Sequence, residues 1–274
     1  MKIVAAKKIL KANDQLAAEN RASFDAAGVF AVNLVGSPGC GKTTLLEALF
    51  GQAGLAGRLP TAVIEGDIAG SIDAQRMDAI GVPVVQINTE GACHLDASMI
   101  AAAAADLLRE EGEKGTRGQG DKGTRGGPAR IVSSSPPLPF SPSPSSPATR
   151  PQPPATRLLV IENVGNLVCT AGFDLGERLR IVVLSVSEGD DKLVKYPAIF
   201  QSSHALVVTK IDLLAHTNFR VQRVVDDMKR LAPSAPVFQV SALRGEGIPA
   251  LADWVLERAA ARSEVPSPLG RGLG

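Results

Sequence analysis

One short motif constrains this chain more than any other feature of its sequence. Residues 36–43 are Gly-Ser-Pro-Gly-Cys-Gly-Lys-Thr and match the spacing GxxxxGK[ST], in which small residues let successive backbone N–H groups turn inward around a phosphate. An apolar run at 29–35 precedes the motif and a helical pattern at 44–50 follows it, so the N-terminus of that helix also favours an anion. This order of strand, loop and helix predicts a phosphate-binding loop and argues against a chance glycine-rich segment.

The side chains of this loop are expected to have separate tasks. Lys42 is predicted to reach the β- and γ-phosphate oxygens, and the hydroxyl of Thr43 is predicted to ligate Mg²⁺. Cys40 stands at a variable position that accepts many small residues, so we expect its thiol to be structural. The residues of this loop predicted to contact the nucleotide are Gly36, Ser37, Pro38, Gly39, Cys40, Gly41, Lys42, Thr43 and Thr44.

Acidic residues at the ends of two further predicted strands complete the phosphate site. Asp67 follows a short apolar strand at the position where open α/β sheets bind ligands, and Asp73 lies close behind it. We predict that Asp67 and Asp73 act with Lys42 in catalysis. The two are candidates for binding Mg²⁺ or for positioning the attacking water, and Asp67 is the predicted Mg²⁺ ligand. Glu162 ends a second buried strand and is expected near the Mg²⁺ shell, and the N–H of Gly165 is expected to contact the γ-phosphate.

Two motifs in the second half of the chain predict guanine as the base. Thr209-Lys210-Ile-Asp212 follows an apolar strand and resembles the guanine-binding motif of GTPases, which normally begins with Asn. The carboxylate of Asp212 would accept hydrogen bonds from guanine N1 and N2, and adenine has no matching pair of donors. Ser241-Ala242 resembles the last GTPase motif, whose backbone contacts the guanine oxygen. A site that hydrogen-bonds a base edge penalises the wrong base, so we predict GTP rather than ATP.

The order of patterns along the chain predicts one α/β domain with additional segments. Apolar strands alternate with helical patterns, which is typical of a mostly parallel sheet with helices on both faces. We assign a packing helix to residues 1–28 and the P-loop domain to 29–108 and 157–262. Residues 109–156 are rich in Gly, Ser and Pro and are predicted to form a disordered insertion, with a partner-binding polyproline segment as the alternative. A disordered tail is predicted at 263–274.

Composition excludes several classes of partner and compartment. A net charge of +1 and 4% aromatic residues argue against a nucleic-acid surface. No apolar run reaches the ~18 residues of a membrane span. The basic N-terminal segment has no apolar core or cleavage site behind it, so we expect a cytoplasmic protein. Three cysteines in a chain of this length do not indicate a disulfide framework.

The remaining two cysteines and one histidine form a candidate metal site. Cys93 and His94 are adjacent in a loop after the third predicted strand, and Cys169 lies beyond the strand that ends at Glu162. Thiol and imidazole suit Zn²⁺ or Ni²⁺, and both loops follow strands at the sheet edge that binds the nucleotide. Three ligands leave one coordination position open or shared, as expected for an ion that is passed on. Ordinary buried cysteines are the alternative.

Four segments together resemble the HypB family, the GTPases of nickel incorporation into hydrogenase. The segments are 65–67, 87–89, 93–97 and 162–169. The resemblance implies a SIMIBI-like P-loop GTPase with GTP and Mg²⁺ as cofactors, which forms a homodimer when GTP binds. It also implies a Ni²⁺ or Zn²⁺ site from Cys93, His94 and Cys169 at the subunit interface, with release of the metal coupled to GTP hydrolysis. The implied partners are a smaller zinc-containing nickel chaperone and the large subunit of [NiFe]-hydrogenase.

Three departures from the family pattern and three alternatives accompany this resemblance. Thr170 replaces the usual proline after Cys169, Thr209 replaces Asn, and the insertion is foreign to the pattern. A related GTPase could serve another nickel enzyme such as urease, although that relative would carry Cys-Pro-His in place of Cys93-His94. A metal-binding scaffold without turnover is the second alternative. A small-molecule P-loop kinase is the third, and it leaves Asp212 unexplained.

Overall fold

The computed structural model describes residues 3–67, 76–77, 79–89, 91–114, 130–132 and 157–261. Its strands, numbered in chain order, are β1 Phe30–Gly36, β2 Thr61–Asp67, β3 Val84–Asn88, β4 Arg130–Val132, β5 Leu158–Glu162, β6 Leu179–Ser185, β7 Ala205–Thr209 and β8 Val237–Gln239. They form one sheet in the order β4-β3-β2-β5-β1-β6-β7-β8, and every neighbouring pair is parallel. The predicted parallel α/β architecture is confirmed.

The α-helices are likewise numbered in chain order. They are α1 Ile3–Ala27, α2 Lys42–Glu47, α3 Leu55–Arg58, α4 Ala97–Lys114, α5 Lys192–Lys195, α6 Pro197–Gln201, α7 Val221–Leu231 and α8 Ile248–Ala260. A π-helical turn, Ala48–Gln52, continues α2 directly. Short 3-10 turns occur at Cys169–Gly172, Val186–Glu188 and Ile211–His216. No helix in the part of the chain that the structure describes is both long and apolar enough to cross a bilayer.

The sheet is buried on both faces because its strands send alternate side chains to opposite layers. In β1, Phe30 and Val32 pack with α2 and α8, whereas Ala31 packs with α1 and α4. Val35, at the end of the same strand, packs with α6 and α7. Strands covered on both faces carry near-continuous apolar sequences, as β1, β5, β6 and β7 do.

The predicted insertion differs from the structure at two places. Helix α4 extends to Lys114, six residues past the predicted boundary at 108, because good helix formers, Arg, Glu and Lys, continue beyond the apolar pattern. Arg130–Val132 forms β4, an edge strand that pairs with β3, so a short strand with two β-branched residues lies within the segment predicted to be disordered. Residues 115–129 and 133–156 and the predicted tail lie outside the described residues.

The topology brings the loops of interest to one edge. Strand β1 lies centrally between β5 and β6, and the phosphate-binding motif follows its carboxyl end. Because all strands are parallel, the loops after β2, β3, β5 and β7 leave from that same edge. The sheet therefore delivers the predicted phosphate, base and metal residues to one side of the molecule.

Candidate functional site

The phosphate-binding loop has a backbone that only glycine adopts easily at its turns. Gly39 and Gly41 have φ values of 71° and 94°, in the left-handed region, and Gly41 is the N-cap of α2. Gly36 is required for a different reason, since a Cβ there would lie 2.6 Å from the carbonyl oxygen of Val183. These constraints keep the loop narrow, with its N–H groups at the start of a helix where an anion binds.

A cavity of about 420 Å³ lies over this loop. Lys42 is buried beneath it, with Nζ 3.5 Å from the carbonyl oxygen of Ser37, and Thr43 is also buried. The residues lining the cavity are Pro38, Gly39, Gly41, Lys42, Thr43, Thr44, Glu65, Gly66, Arg76, Glu162, Asn163, Val164, Gly165 and Lys210. The volume and the cationic, glycine-rich floor fit the phosphates of a nucleotide.

Oxygen ligands suited to Mg²⁺ meet at the floor of this cavity. The hydroxyl of Thr43 donates to Oε1 of Glu162 over 2.9 Å, which links the motif to the end of β5. Glu65 is buried beside it, since β2 and β5 pair in register at Glu65 and Glu162. A hydroxyl and carboxylates are the hard ligands that Mg²⁺ prefers, so the residues present fit this ion.

The two predicted catalytic aspartates are only partly located. Asp67 is the last residue of β2, with its backbone paired with Asn88 of β3, and Asp73 lies outside the described residues. Glu65 was missed as a candidate because sequence reasoning emphasised the last acid of the strand. The signal in the sequence is that Glu65 and Asp67 are two positions apart, the period of side chains on one face of a strand.

Arg76 is a second residue that sequence reasoning missed. It lines the cavity, and its guanidinium donates to Glu47 of α2 and, over 3.2 Å, to the hydroxyl of Thr44. No spacing rule in the sequence marks this arginine, since its contacts with α2 are made between residues about thirty positions apart in the chain. It adds a third cationic residue, after Lys42 and Lys210, to the lining of the phosphate cavity.

The loop after β5 contacts the phosphate-binding loop directly. A Cβ added to Gly165 would lie 2.8 Å from the backbone N and Cα of Pro38. Gly165 therefore lines the cavity at the point where the γ-phosphate is expected, and only a residue without a side chain fits there. The loop after β5 and the phosphate-binding loop therefore border the cavity together.

The predicted base-binding residues are also brought together. Asp212 accepts a hydrogen bond of 2.6 Å from the hydroxyl of Ser241, so the two motifs meet although they lie on different loops. Lys210 has φ 59° and its Nζ donates to the carbonyl oxygen of Gly39 over 2.7 Å. The carbonyl of Ala242 accepts from the side chain of Gln52.

Thr209 anchors the phosphate-binding loop to the base-binding loop. Its hydroxyl donates to the carbonyl oxygen of Cys40 over 2.6 Å, and both residues are buried. The threonine that departs from the usual Asn therefore makes a side-chain hydrogen bond to the loop beneath the nucleotide cavity. The thiol of Cys40 itself is packed in the core, where burial raises its pKa to about 11.

Cys93, His94 and Cys169 form a cluster of three metal-binding side chains. One ligand atom from each lies within 4.8 Å of the other two, and all three side chains are partly exposed. Sγ of Cys93 and Nδ1 of His94 are 3.5 Å apart, and the imidazole stacks on the ring of Phe173 with centroids 3.8 Å apart. Two thiols and an imidazole are a donor set that fits Zn²⁺ or Ni²⁺.

The pKa shifts of His94 and Cys169 act in opposite directions on metal binding, because the lowered pKa frees the imidazole and the raised pKa keeps the proton on the thiol. Burial lowers the pKa of His94, and nearby Asp96 offsets this only in part, so the imidazole is neutral and able to ligate. The hydrogen bond with Cys93 raises the pKa of Cys169, and burial and the charge of Cys93 act in the same direction. A bound metal would displace the thiol proton.

Two asparagines hold the metal-binding loops. Oδ1 of Asn166 accepts from the backbone N–H of Cys169 over 3.0 Å, at the residue where the 3-10 turn begins. Oδ1 of Asn163 accepts from the N–H of Leu95 over 3.2 Å and from that of Val164 over 2.9 Å. Asn163 thus contacts the residue after His94 and the loop that approaches the γ-phosphate position.

Comparison with known proteins gives concordant matches. The family model described as CobW/HypB/UreG, nucleotide-binding domain, matches residues 30–239. The hydrogenase maturation factor HypB of Azotobacter vinelandii is 41% identical over 247 residues, which are 90% of this chain and 66% of that protein. The hydrogenase/urease maturation factor HypB of Helicobacter pylori strain J99 is 36% identical over 251 residues, covering 92% of this chain and 86% of that protein.

A solved structure shows the same similarity in three dimensions. The crystal structure of HypB from Helicobacter pylori in complex with nickel superposes with a TM-score of 0.73 at 35% identity. The match covers 93% of this chain and 97% of that one. The chain therefore shares both the sequence pattern and the fold of these proteins, while it spans about two thirds of the length of the first curated relatives.

Proposed function

This chain belongs to the HypB branch of the CobW/HypB/UreG family of P-loop GTPases, and on that premise we propose that it is a GTP-hydrolysing nickel chaperone for hydrogenase maturation. One observation carries the proposal. The ligand atoms of Cys93, His94 and Cys169 cluster within 4.8 Å at the sheet edge that also carries the phosphate cavity. A metal site that lies beside a nucleotide site supports the proposal that metal affinity depends on which nucleotide is bound.

The proposed hydrolysis rests on positioning and charge neutralisation. Lys42 would contact the β- and γ-phosphates, and Thr43 with Glu162 would hold Mg²⁺, which neutralises developing phosphate charge when bound. The attacking water is assigned to Asp67 or Asp73. Asp212, buttressed by Ser241, would accept from the guanine edge.

The proposed cycle couples the nucleotide to the metal. GTP would order the Gly165 loop, which already contacts Pro38, and this would change the environment of Cys169 four residues further on. Three ligands leave a coordination position for a second subunit, and Val168 beside Cys169 is 64% exposed. We include GTP-dependent homodimerisation, a zinc-containing partner chaperone and the hydrogenase large subunit in this proposal.

Binding measurements on purified protein test the two sites separately. Calorimetric titration with GTP and ATP is expected to show binding of GTP only, because adenine cannot supply the donors that Asp212 accepts from. Lys42→Ala is expected to abolish GTP turnover while leaving Ni²⁺ binding in the absence of nucleotide intact. Equal binding of the two nucleotides would refute the assignment of the base.

Nickel titration tests the metal ligands with a matched control. Cys169→Ala is expected to weaken Ni²⁺ binding strongly, whereas Cys40→Ala removes a buried thiol outside the cluster and is expected to leave it unchanged. Full nickel affinity in Cys169→Ala would show that the ligand assignment is wrong. Repeating the titration with a nonhydrolysable GTP analogue and with GDP measures the proposed coupling.

Urease is the second candidate recipient of the metal. The Helicobacter pylori relative at 36% identity is named a hydrogenase/urease maturation factor, so delivery to more than one nickel enzyme is compatible with this sequence. Activation of apo-hydrogenase and apo-urease by the nickel-loaded protein, measured side by side, distinguishes the two recipients.

A further inference from the structure

An amide buried in the central strand is not explained by the sites described so far. Asn33 lies in the middle of β1, is 0% exposed, and is surrounded along the strand by apolar residues. Burial of an amide costs free energy unless its hydrogen bonds are satisfied, and an apolar residue would suit a strand covered on both faces. A buried Asn at this position is therefore expected to make specific hydrogen bonds.

Both ends of the Asn33 side chain are bonded to buried polar groups. Its Nδ2 donates to Oε1 of Glu177 over 3.2 Å, and its Oδ1 accepts from Nδ2 of Asn163 over 3.3 Å. All three residues are buried. Asn33 thus joins the loop after β5 to the segment that precedes β6.

On one side, this connection reaches the nucleotide cavity. Asn163 lines the cavity, two residues before Gly165, and its Oδ1 holds the N–H groups of Val164 and Leu95. A shift of the Gly165 loop toward a γ-phosphate would move Val164 and hence Asn163. Through its hydrogen bond to Asn33, the amide of Asn163 would pass such a shift to a buried residue of β1.

On the other side, the connection reaches the metal cluster. Glu177 forms a buried ion pair with Arg180, whose guanidinium also donates to the carbonyl oxygen of Phe173 over 2.7 Å and to that of Ala171 over 3.4 Å. Ala171 lies in the 3-10 turn that begins at Cys169, and Phe173 stacks on His94. Arg180 therefore holds the segment that places two of the three metal ligands.

We propose that Asn33 is a positioning residue that links the nucleotide cavity to the metal cluster through Asn163 on one side and the Glu177–Arg180 pair on the other. It contacts neither ligand itself. The proposal rests on the proposed nickel-chaperone function, because it assigns a route to the coupling between the two sites. Hydrogen bonds in a low-dielectric core are strong and directional, so a rearrangement at one end changes the preferred geometry at the other.

The test measures Ni²⁺ affinity in two nucleotide states. For the wild type, the ratio of dissociation constants with a nonhydrolysable GTP analogue and with GDP is expected to lie at about 5- to 150-fold, the usual range of coupling between sites. In Asn33→Leu this ratio is expected to fall to about one, while Ni²⁺ affinity without nucleotide and GTP affinity stay close to the wild type. The absorption of Co²⁺ bound in place of Ni²⁺ is expected to lose its nucleotide-dependent shift.

Asn20→Leu is the matched control. Asn20 is a buried asparagine of α1 that donates to the carbonyls of Ala97 and Leu175. It therefore holds the start of α4, just after the Cys93–His94 loop, and the segment before β6, without a hydrogen bond to Asn163 or Glu177. Its variant is expected to lose stability and keep the ratio. Should Asn33→Leu fail to fold, Asn33→Thr retains a hydroxyl too short to join both partners and is expected to reduce the ratio.

The outcomes separate the two proposals. A wild-type ratio of one contradicts the coupling in the proposed function and removes the basis for this route. A wild-type ratio well above one that persists in the Asn33 variants overturns the role of Asn33 alone. Equal loss of the ratio in Asn20→Leu would show that general stability of the loops sets the coupling, and this would also overturn it.

Discussion

Replacing Arg180 by methionine is expected to destabilise the fold more than any surface substitution would. Arg180 and Glu177 are both 0% exposed, and Nη2 of Arg180 lies 2.6 Å from Oε1 of Glu177. Burial alone would raise the pKa of Glu177, but the charge of Arg180 and hydrogen bonds outweigh it and hold that pKa below its ordinary value. Arg180→Met would leave the Glu177 carboxylate charged in the core without its cation.

The magnitude follows from the environment of the pair. Removing one partner of a buried ion pair costs about 3–5 kcal/mol, because the remaining charge is desolvated and uncompensated. Arg180→Met combined with Glu177→Gln removes that charge. It leaves the carbonyls of Phe173 and Ala171 without a donor, and one of the two donors to Glu177, Asn33 Nδ2 or the N–H of Leu175, without an acceptor, at about 1–3 kcal/mol. The double variant is therefore expected to be more stable than the single one.

Urea unfolding at neutral pH, followed by far-UV circular dichroism and by fluorescence of Trp254, measures both variants. A loss of 3–5 kcal/mol corresponds to a fall in melting temperature of about 6–20 °C for a domain of this size. Arg178→Met is the control, because Arg178 pairs with Asp25 at the surface and its loss is expected to cost about 1 kcal/mol or less.

The result that would refute this reasoning is specific. If Arg180→Met cost no more than Arg178→Met, or if the double variant were less stable than the single one, the uncompensated carboxylate could not be the source of the loss.

Three further predictions follow from individual contacts. Thr209→Val is expected to weaken GTP binding by about tenfold in calorimetry, because it leaves the carbonyl of Cys40 without its 2.6 Å hydrogen bond, whereas Thr209→Ser should retain most of the affinity. Gly165→Ala is expected to reduce GTP binding and turnover without weakening Ni²⁺ binding in the absence of nucleotide, because its Cβ would meet Pro38 at 2.8 Å; wild-type turnover would contradict the close approach. In native protein at pH 8, iodoacetamide is expected to modify the partly exposed Cys93 and Cys169 much faster than Cys40, because the thiol of Cys40 is buried and its pKa is about 11; rapid labelling of Cys40 in mass spectrometry of peptides would contradict this.

Much of the fold was predictable because its signals are local. The apolar runs of β1, β5, β6 and β7 are long enough to identify buried strands, and their alternation with helical patterns predicts a parallel sheet. The edge strand β4 was missed, since three residues in a Gly- and Pro-rich stretch carry no periodicity and are strands only because β3 offers an edge.

Some residues of the candidate site were likewise predictable from local sequence, and others were not. Lys42 and Thr43 belong to a contiguous motif whose spacing predicts phosphate binding. The residue types that can bind a metal are also visible in the sequence. The register that sets Glu65 beside Glu162, and the packing that brings Arg76 onto α2, depend on contacts between distant segments.

The sequence by itself therefore determined the parallel α/β class, the phosphate-binding loop and the residue types available to bind base and metal. Only the tertiary structure decided that the thiols of Cys93 and Cys169 lie together and that Asn33 joins Asn163 to Glu177 inside the core. The physical reason is the distance along the chain over which each kind of interaction acts. Periodicity and spacing act between neighbours in the chain, whereas the partner of a buried polar group is chosen by the register and packing of segments more than a hundred residues apart.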